Sequence, residues 1–532
     1  MYNPLNSKYI LSKPNIPLYS ALLFILFGLI LSGITYHLPI GDYVNYYFGS
    51  LLLKNGLFTQ DVYEPYRFNL IIRELNNGQF FANYTPVPPV TSLLLIPFTY
   101  LTVGASKLVF NLFSVLLFSI AFYRLVRHLQ ISTKWLLLLP IIMLPVLKSN
   151  VAQGQLYLIV TALLIEGWLQ HKNGHLKTAS LLWGGAIALK IFPAIILLYL
   201  ILKKDYRTTA FMVAAVIIIS ILPMAFMPGH IILNYYSEIL PRLMVGEIND
   251  PYATVYQSFT VLCRKTFVSD KLLNPENTYH NPILKSLFSL IYTSLLLAFT
   301  VIINKKEYDN FIKFSIIVFI GVLISGYGTF YGLILLIPLL VALIKNGNTT
   351  FVIAAIVLCV ALVLPVKYFH NLPLLAQFPR LYLFITATLF ISYRYKLHYY
   401  ASAGMTILFV PLLVLSNINL PTHIRNNYYL TIQPNLLLYD YAYTPGQLHL
   451  KYITDAGIKE GIKLTTDSMC RDSALKVING NIYAGELQIT NSGCRKLKPM
   501  RINSKQIIYL SDEDRGVGFY TLRLAAYPNS KI

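Results

Sequence analysis

The sequence predicts an all-α polytopic membrane protein with a C-terminal soluble, β-rich domain. Three observations predict it. Of 532 residues, 56% are hydrophobic and only 12% charged, with a mean hydropathy of +0.57; soluble domains carry roughly 25% charged residues. The surplus apolar residues recur in blocks of about 15–22, the length that crosses a bilayer. From about Asn417 those blocks stop, Gly, Asp, Thr and Ser rise, and short alternating segments such as Gln506–Leu510 appear, a strand signature. The expected division is residues 1–416 in the membrane and 417–532 outside it.

Formal net charge is +21 at pH 7. Nucleic-acid binding would need that charge on one face or in one tract. It falls instead in clusters between apolar blocks: Arg124, Arg127 and His128; His171, Lys172 and Lys177; Lys203, Lys204 and Arg207; Lys305 and Lys306; Arg394 and Lys396. This is the positive-inside pattern, so these loops are assigned to the cytoplasm and no nucleic-acid partner is expected. Four cysteines are too few for a disulfide scaffold. Cys470 and Cys494 fall where an oxidising compartment permits a bridge, which spacing alone does not establish.

Lys8 and Lys13 place the N-terminus in the cytoplasm, and Leu18–Leu38, with no small-residue cleavage site behind it, reads as an uncleaved first span. Residues 39–88 form a polar, aromatic first external loop. Val90–Val103 is short for a span and fits an interfacial or re-entrant helix, because a crossing there would put Arg124 and Arg127 outside. Lys107–Tyr123 crosses back, Trp135–Leu147 goes out, and Leu156–Leu169 returns after a polar bend at 148–155. Basic clusters flank 178–202 on both sides, so its crossings must be even in number. Pro193 breaks it after Lys190, and each half, about 12 residues or roughly 18 Å, is too short to span alone. A hairpin with Lys190 at the base of an outward-facing cavity is expected. Thr208–Met227 exits to a second large external loop, 228–284, holding an interfacial helix at His230–Leu243. Leu284–Ile303, Phe311–Ser325, Phe330–Ile344, Phe351–Val366, Arg380–Ser392 and Ala401–Ser416 complete about thirteen spans, leaving the C-terminal domain extracytoplasmic.

Chemistry is expected at the outer face. Asp42, in Gly41-Asp42-Tyr43, sits where the first span leaves the hydrocarbon, and a carboxylate there is costly unless solvated or used. It is the candidate catalytic base, although an N-cap role fits the same position. Gly41 lets the backbone turn, while Tyr43, Tyr46 and Tyr47 offer stacking surfaces. Lys190 interrupts an apolar run, where an unpaired charge costs ~2.5–3.5 kcal/mol on insertion scales. Lys190 and Arg264 are the candidate cations for a phosphate group. Gln153, Gln155 and Gln257 are candidate hydrogen-bonding partners of substrate; helix capping at the bend fits the first two equally.

The order Gly41-Asp42-Tyr43, Gly56, Tyr63 and Tyr84-Thr85-Pro86 resembles the start of glycosyltransferase family 87. The resemblance continues through Gln153-Gly154-Gln155, Gly185–Pro193 with Lys190, and Tyr256-Gln257-Ser258-Phe259 with Arg264, covering residues 18–345. It implies a GT-C fold and inverting transfer of a mannose-like hexose from a polyprenyl-phosphate donor to a lipid- or glycan-linked acceptor. It further implies an aspartate base in the first external loop and no nucleotide sugar; neither Asp nor His clusters appear in residues 1–416, and no metal and no cofactor are expected. Tyr84 joins the candidate substrate contacts on this ground. One departure stands out: the family often carries a histidine pair where this chain has Ser325–Gly332, and Tyr331 is the candidate replacement. The location implied is the inner (plasma) membrane, in contact with its lipids. The alternatives are a transporter or flippase for lipid-linked saccharides and a non-enzymatic envelope assembly protein.

Overall fold

The computed structural model describes residues 15–395, apart from 77–79, 81, 245–250, 270–273, 275–276, 278, 326–327 and 370–371, together with strands and turns between 437 and 527. The expected span Ala401–Ser416 and the Cys470–Cys494 pair lie outside the described residues. The two remaining cysteines, Cys263 and Cys359, are buried free thiols.

Helix α1 (Ile16–Thr35) leads through a short turn to α2 (Tyr43–Lys54) and α3 (Pro65–Asn76), which with a 3-10 turn at Gln60–Tyr63 build the first loop. Then follow α4 (Pro89–Leu95), continued as a 3-10 turn to Tyr100, and α5 (Val103–His128). Next come α6 (Leu138–Ile142), α7 (Leu144–Gln153), α8 (Tyr157–Lys172), α9 (Leu176–Leu189), α10 (Ile195–Leu202) and α11 (Tyr206–Ile221). The second loop holds α12 (Gly229–Asn234), a π-turn at Tyr235–Ile239, α13 (Leu240–Met244) and α14 (Phe259–Phe267). The chain continues with α15 (Pro282–Lys305), α16 (Asn310–Ile324), α17 (Ile337–Asn346), α18 (Thr349–Leu362) and α19 (Pro379–Arg394).

By length and apolarity, four helices reach spanning size among the described residues: α1, α5, α11 with its 3-10 extension to Ala225, and α15. A fifth counts if the pair Lys134–Ile142 and Leu144–Gln153, bent by 43°, is one span. Shorter apolar helices occupy most of the other expected crossings. Helix length therefore does not support thirteen full spans, because proline and 3-10 turns divide several apolar blocks. The bend expected at 148–155 also differs: α7 runs to Gln153, the kink sits near Met143, and the chain turns at Gly154.

Contacts fix the direction of the central helices. The Ser180 hydroxyl donates to the Thr208 carbonyl at 3.2 Å, and Gly184 abuts Ala215. Residue numbers rise together along both, so α9 and α11 are parallel and α10, between them in sequence, runs back. Residues 176–202 are thus a helical hairpin, its tip at Lys190, where the backbone is extended (φ −148°, ψ 123°). Pro193 in the following 3-10 turn explains why the helix does not continue. Close packing rather than water exclusion joins such helices in lipid: Phe24 of α1 lies edge-on to Phe118 and Phe122 of α5 at 5.1 and 5.2 Å.

The bundle has two chemically distinct ends. One gathers the ion pairs Arg124–Glu166 (2.9 Å), His171–Asp205 (2.8 Å) and Lys345–Asp309 (3.0 Å) with the basic clusters around them. Asp42 lies at the other end.

Among the described residues, the C-terminal region holds three three-stranded antiparallel sheets. The first has β1 (Leu437–Thr444), β2 (Gln447–Thr454) and β3 (Gly457–Leu464). The second has β4 (Leu475–Ile478), β5 (Asn481–Ala484) and β6 (Leu487–Gln488), and the third β7 (Lys496–Asn503), β8 (Gln506–Ser511) and β9 (Thr521–Ala526). Ile508 and Leu510 of β8 join Tyr441 and Leu448 in one apolar cluster, whereas Ile507 and Tyr509 join Ile482 in another. Strand β8 is therefore buried on both faces, which accounts for its continuous apolar run. The Tyr520 hydroxyl donates to Glu64 Oε2 at 3.3 Å, connecting this region to the first loop.

Candidate active site

Asp42 occupies the N-cap position of α2, yet its carboxylate makes no capping hydrogen bond. A different residue caps there: the Asp42 backbone N–H donates to Gln153 Oε1 at 3.3 Å. The carboxylate turns the other way, where Gln155 Nε2 donates to Asp42 Oδ2. Gln155 is itself fixed, because the Tyr46 hydroxyl donates to its Oε1 at 3.0 Å. An amide held at one end and donating at the other orients the carboxylate without neutralising it. Among the described residues no donor is aimed at Oδ1, which leaves that oxygen for a substrate proton.

The turns that make this possible use glycine. Gly154 ends α7 in the left-handed region (φ +64°, ψ 46°), so α7 can stop between the two glutamines and present both toward Asp42.

Lys190 approaches from the hairpin tip. Its Nζ stands 5.3 Å from the centre of the Tyr157 ring, which stacks on Phe192 (6.0 Å, 9°) and meets Tyr331 at 5.2 Å. The lysine acts on Asp42 through charge, with no hydrogen bond between them. Burial pushes the Asp42 carboxyl above the usual carboxylate range; the Gln155 hydrogen bond and the Lys190 charge pull it partly back. A carboxylate with one free oxygen, a separated ammonium and two flanking tyrosines is suited to accept a proton from one group while a cation holds an anionic one.

Of the sequence candidates, Asp42, Tyr46, Gln153, Gln155, Lys190 and Tyr331 thus share one site. The polar ends of Tyr43, Tyr84 and Gln257 are directed elsewhere. The Tyr43 hydroxyl is 2.6 Å from Ser106 Oγ and its ring packs on Phe110 at 5.0 Å, so it anchors α2 to α5. Tyr84 is fully buried, with its hydroxyl 2.5 Å from Ser92 Oγ and its ring among Phe58, Tyr63 and Phe68. Gln257 donates to the Thr254 and Gln377 carbonyls at 2.6 and 2.9 Å and accepts from the Arg380 N–H at 3.1 Å, a backbone tie rather than a free amide. Arg264 faces the Tyr252 ring at 6.0 Å.

Three residues of interest were not singled out by sequence. Tyr157 forms the aromatic wall, but at the start of an apolar helix a tyrosine is ordinary belt chemistry. Lys107 is buried beside the site; its signal was a cation at the wrong end of a span for the positive-inside rule. Arg380 is buried with Cζ 4.8 Å from the Phe330 ring and donates to the Leu362 and Leu364 carbonyls, where only its place at the head of an apolar block could have drawn notice.

Residues 84–326 match the model of glycosyltransferase family 87, the family that the sequence motifs resemble. The matched stretch holds Gln153, Gln155 and Lys190, whereas Asp42 precedes it. Searches of curated proteins and of solved structures found no match.

Proposed function

From the match to glycosyltransferase family 87 and from the apolar helices, which together support a membrane glycosyltransferase, we propose that this chain moves a mannose-like hexose from a polyprenyl-phosphate donor to a lipid- or glycan-linked acceptor. The observation carrying this reading is the uncapped Asp42 carboxylate, oriented by Gln155 and facing the Lys190 charge. The acceptor hydroxyl attacks the anomeric carbon as the bond from that carbon to the phosphate oxygen breaks. Its proton passes to Asp42 Oδ1, polyprenyl phosphate leaves, and the anomeric configuration inverts. Lys190 meets the charge that grows on the departing phosphate. The basic ends of α5, α8 and α17 are cytoplasmic in this reading, so Asp42 faces the outer side of the plasma membrane.

Membranes containing the protein are expected to transfer radiolabelled sugar from at least one member of a panel of polyprenyl-phosphate hexoses, and from no nucleotide sugar. Transfer from a nucleotide sugar alone would refute the donor class. A helical hairpin broken at a charge is also a feature of transporters; movement of lipid-linked saccharide across vesicles, without transfer from any donor, would establish that reading instead.

Lys190→Gln removes the charge at nearly constant polarity. It is expected to lower kcat about 10²-fold, the lower end of the range for losing one electrostatic stabiliser of a transition state. A wild-type rate for this variant would remove Lys190 from the leaving-group role.

A further inference from the structure

We propose that Lys107 is a positioning residue for the transfer: its ammonium ties the segment that carries Asp42 to the end of the helix that carries Gln153 and Gln155. The proposal rests on the reading of Asp42 as base given above.

Lys107 lies near the start of α5, and only 4% of its surface is exposed. Among the described residues it has no carboxylate partner. Its Nζ donates instead to two backbone carbonyls, Ala152 at 2.6 Å and Pro39 at 3.3 Å. These belong to segments far apart in sequence. Pro39 is three residues before Asp42, and Ala152 is one before Gln153.

The carbonyls at the end of a helix have no partner within it and must find one elsewhere. At the end of α7 the carbonyls of Asn150, Val151 and Ala152 each find one. The Asn150 carbonyl accepts from the Gln155 N–H at 3.0 Å. The Val151 carbonyl accepts from the Gly154 N–H at 3.3 Å and from Asn111 Nδ2 at 2.9 Å. Ala152 is left to Lys107, a cation at a helix C-terminus.

Capping alone would explain one of these contacts. The second, to Pro39, makes the lysine a bridge, and what it bridges is the pairing of Asp42 with both glutamines. Gly41 sits against the same carbonyl: a Cβ there would lie 3.1 Å from Ala152 O. Thus the lysine, the glycine and the two glutamines converge on one turn. The face of α5 bearing Ser106, Lys107 and Asn111 grips α2 through Tyr43, the 39–42 turn through Pro39, and α7 through two carbonyls.

An uncharged side chain of similar length leaves Ala152 O unpaired and frees Pro39. Both segments then loosen, and Gln155 no longer meets Asp42 Oδ2 in a fixed geometry. Asp42 also faces Lys190 and the hydroxyls of Tyr46, Tyr157 and Tyr331. None of these groups is changed by the substitution, but Lys107→Met removes a positive charge near Asp42, so a moved acid limb reports the loss of the Gln155 hydrogen bond only where exchange in 36–43 and 150–156 rises with it.

The test uses the full chain in lipid nanodiscs, comparing wild type, Lys107→Met and Lys107→Arg. Two readouts are taken: steady-state transfer across pH, and amide hydrogen exchange. For Lys107→Met the expected result is kcat lowered about 10-fold with donor KM within about 2-fold, since a misplacement near 1 Å costs up to 10²-fold. The acid limb of the kcat profile should move to higher pH, and exchange should rise in 36–43 and 150–156 alone. Lys107→Arg, which keeps the charge and can donate to both carbonyls, should recover most of kcat. Unchanged kcat and pH profile in Lys107→Met would overturn the proposal, as would exchange raised throughout the helices. Inactive wild type refutes the transferase reading instead; local exchange in 36–43 and 150–156 still decides whether Lys107 makes the tie.

Discussion

Asp42→Asn is expected to reduce sugar transfer by about 10²-fold or more, with the protein still inserted at wild-type level; general-base catalysis contributes 10²–10⁴-fold. Asparagine keeps the shape and can still meet Gln155, but it accepts no proton. The fold should barely notice, because the Asp42 carboxylate caps no helix and the α2 cap comes from Gln153. This separates a chemical role from a structural one, which the bare sequence left open. The pH profile provides a second check. A base must be ionised, and burial holds the Asp42 carboxyl above the usual carboxylate range. Activity should therefore fall on acidification at a higher pH than for a solvent-exposed carboxylate. Lys190 lowers that value by its charge, so in Lys190→Gln the acid limb should move further upward. An Asp42→Asn protein as active as wild type would make Asp42 structural and return the search for a base to the remaining loop acids.

The hairpin at Lys190 was legible because two signals agreed: basic clusters on both flanks and a proline mid-block. Gln153 and Gln155 were legible as a polar interruption, but not their division of labour, in which one caps α2 and the other orients the carboxylate. That depends on where α7 stops relative to α2, a tertiary fact. Tyr43 looked like a stacking surface and Tyr84 like a substrate contact because motif order reveals no facing direction; their hydroxyls instead meet Ser106 and Ser92. Lys107 was read only as the edge of a span. Its partners are backbone carbonyls, which carry no side-chain signature in a sequence. The strand Gln506–Leu510 was readable as strand, but its burial on both faces follows from sheets on either side of it, again invisible locally.

Gly41→Ala is expected to lower transfer about 10- to 100-fold through geometry alone. Gly41 adopts φ +69°, a left-handed conformation that costs an alanine roughly 1–2 kcal/mol. Space is a separate obstacle: an added Cβ would lie 2.5 Å from Gln153 Oε1, 3.0 Å from Gln153 Cα and 3.1 Å from Ala152 O. The amide end of Gln153 can swing aside, but it is the group that caps the Asp42 N–H. The backbone atoms cannot yield without moving the end of α7, so the Asp42 segment must retreat from both glutamines. Displacement of that order at a reacting group is enough for the predicted loss. Gly56→Ala separates contact from strain. Gly56 has the same φ of +69°, yet nothing lies within 4 Å of its would-be Cβ. It should therefore lose only the thermal stability that the strain costs, less than Gly41→Ala, while keeping transfer near the wild-type rate. Equal losses of transfer in the two variants would mean that backbone strain, rather than the seat of Gly41 against α7, is what the site cannot tolerate; full activity in Gly41→Ala would mean that Asp42 does not act from this position.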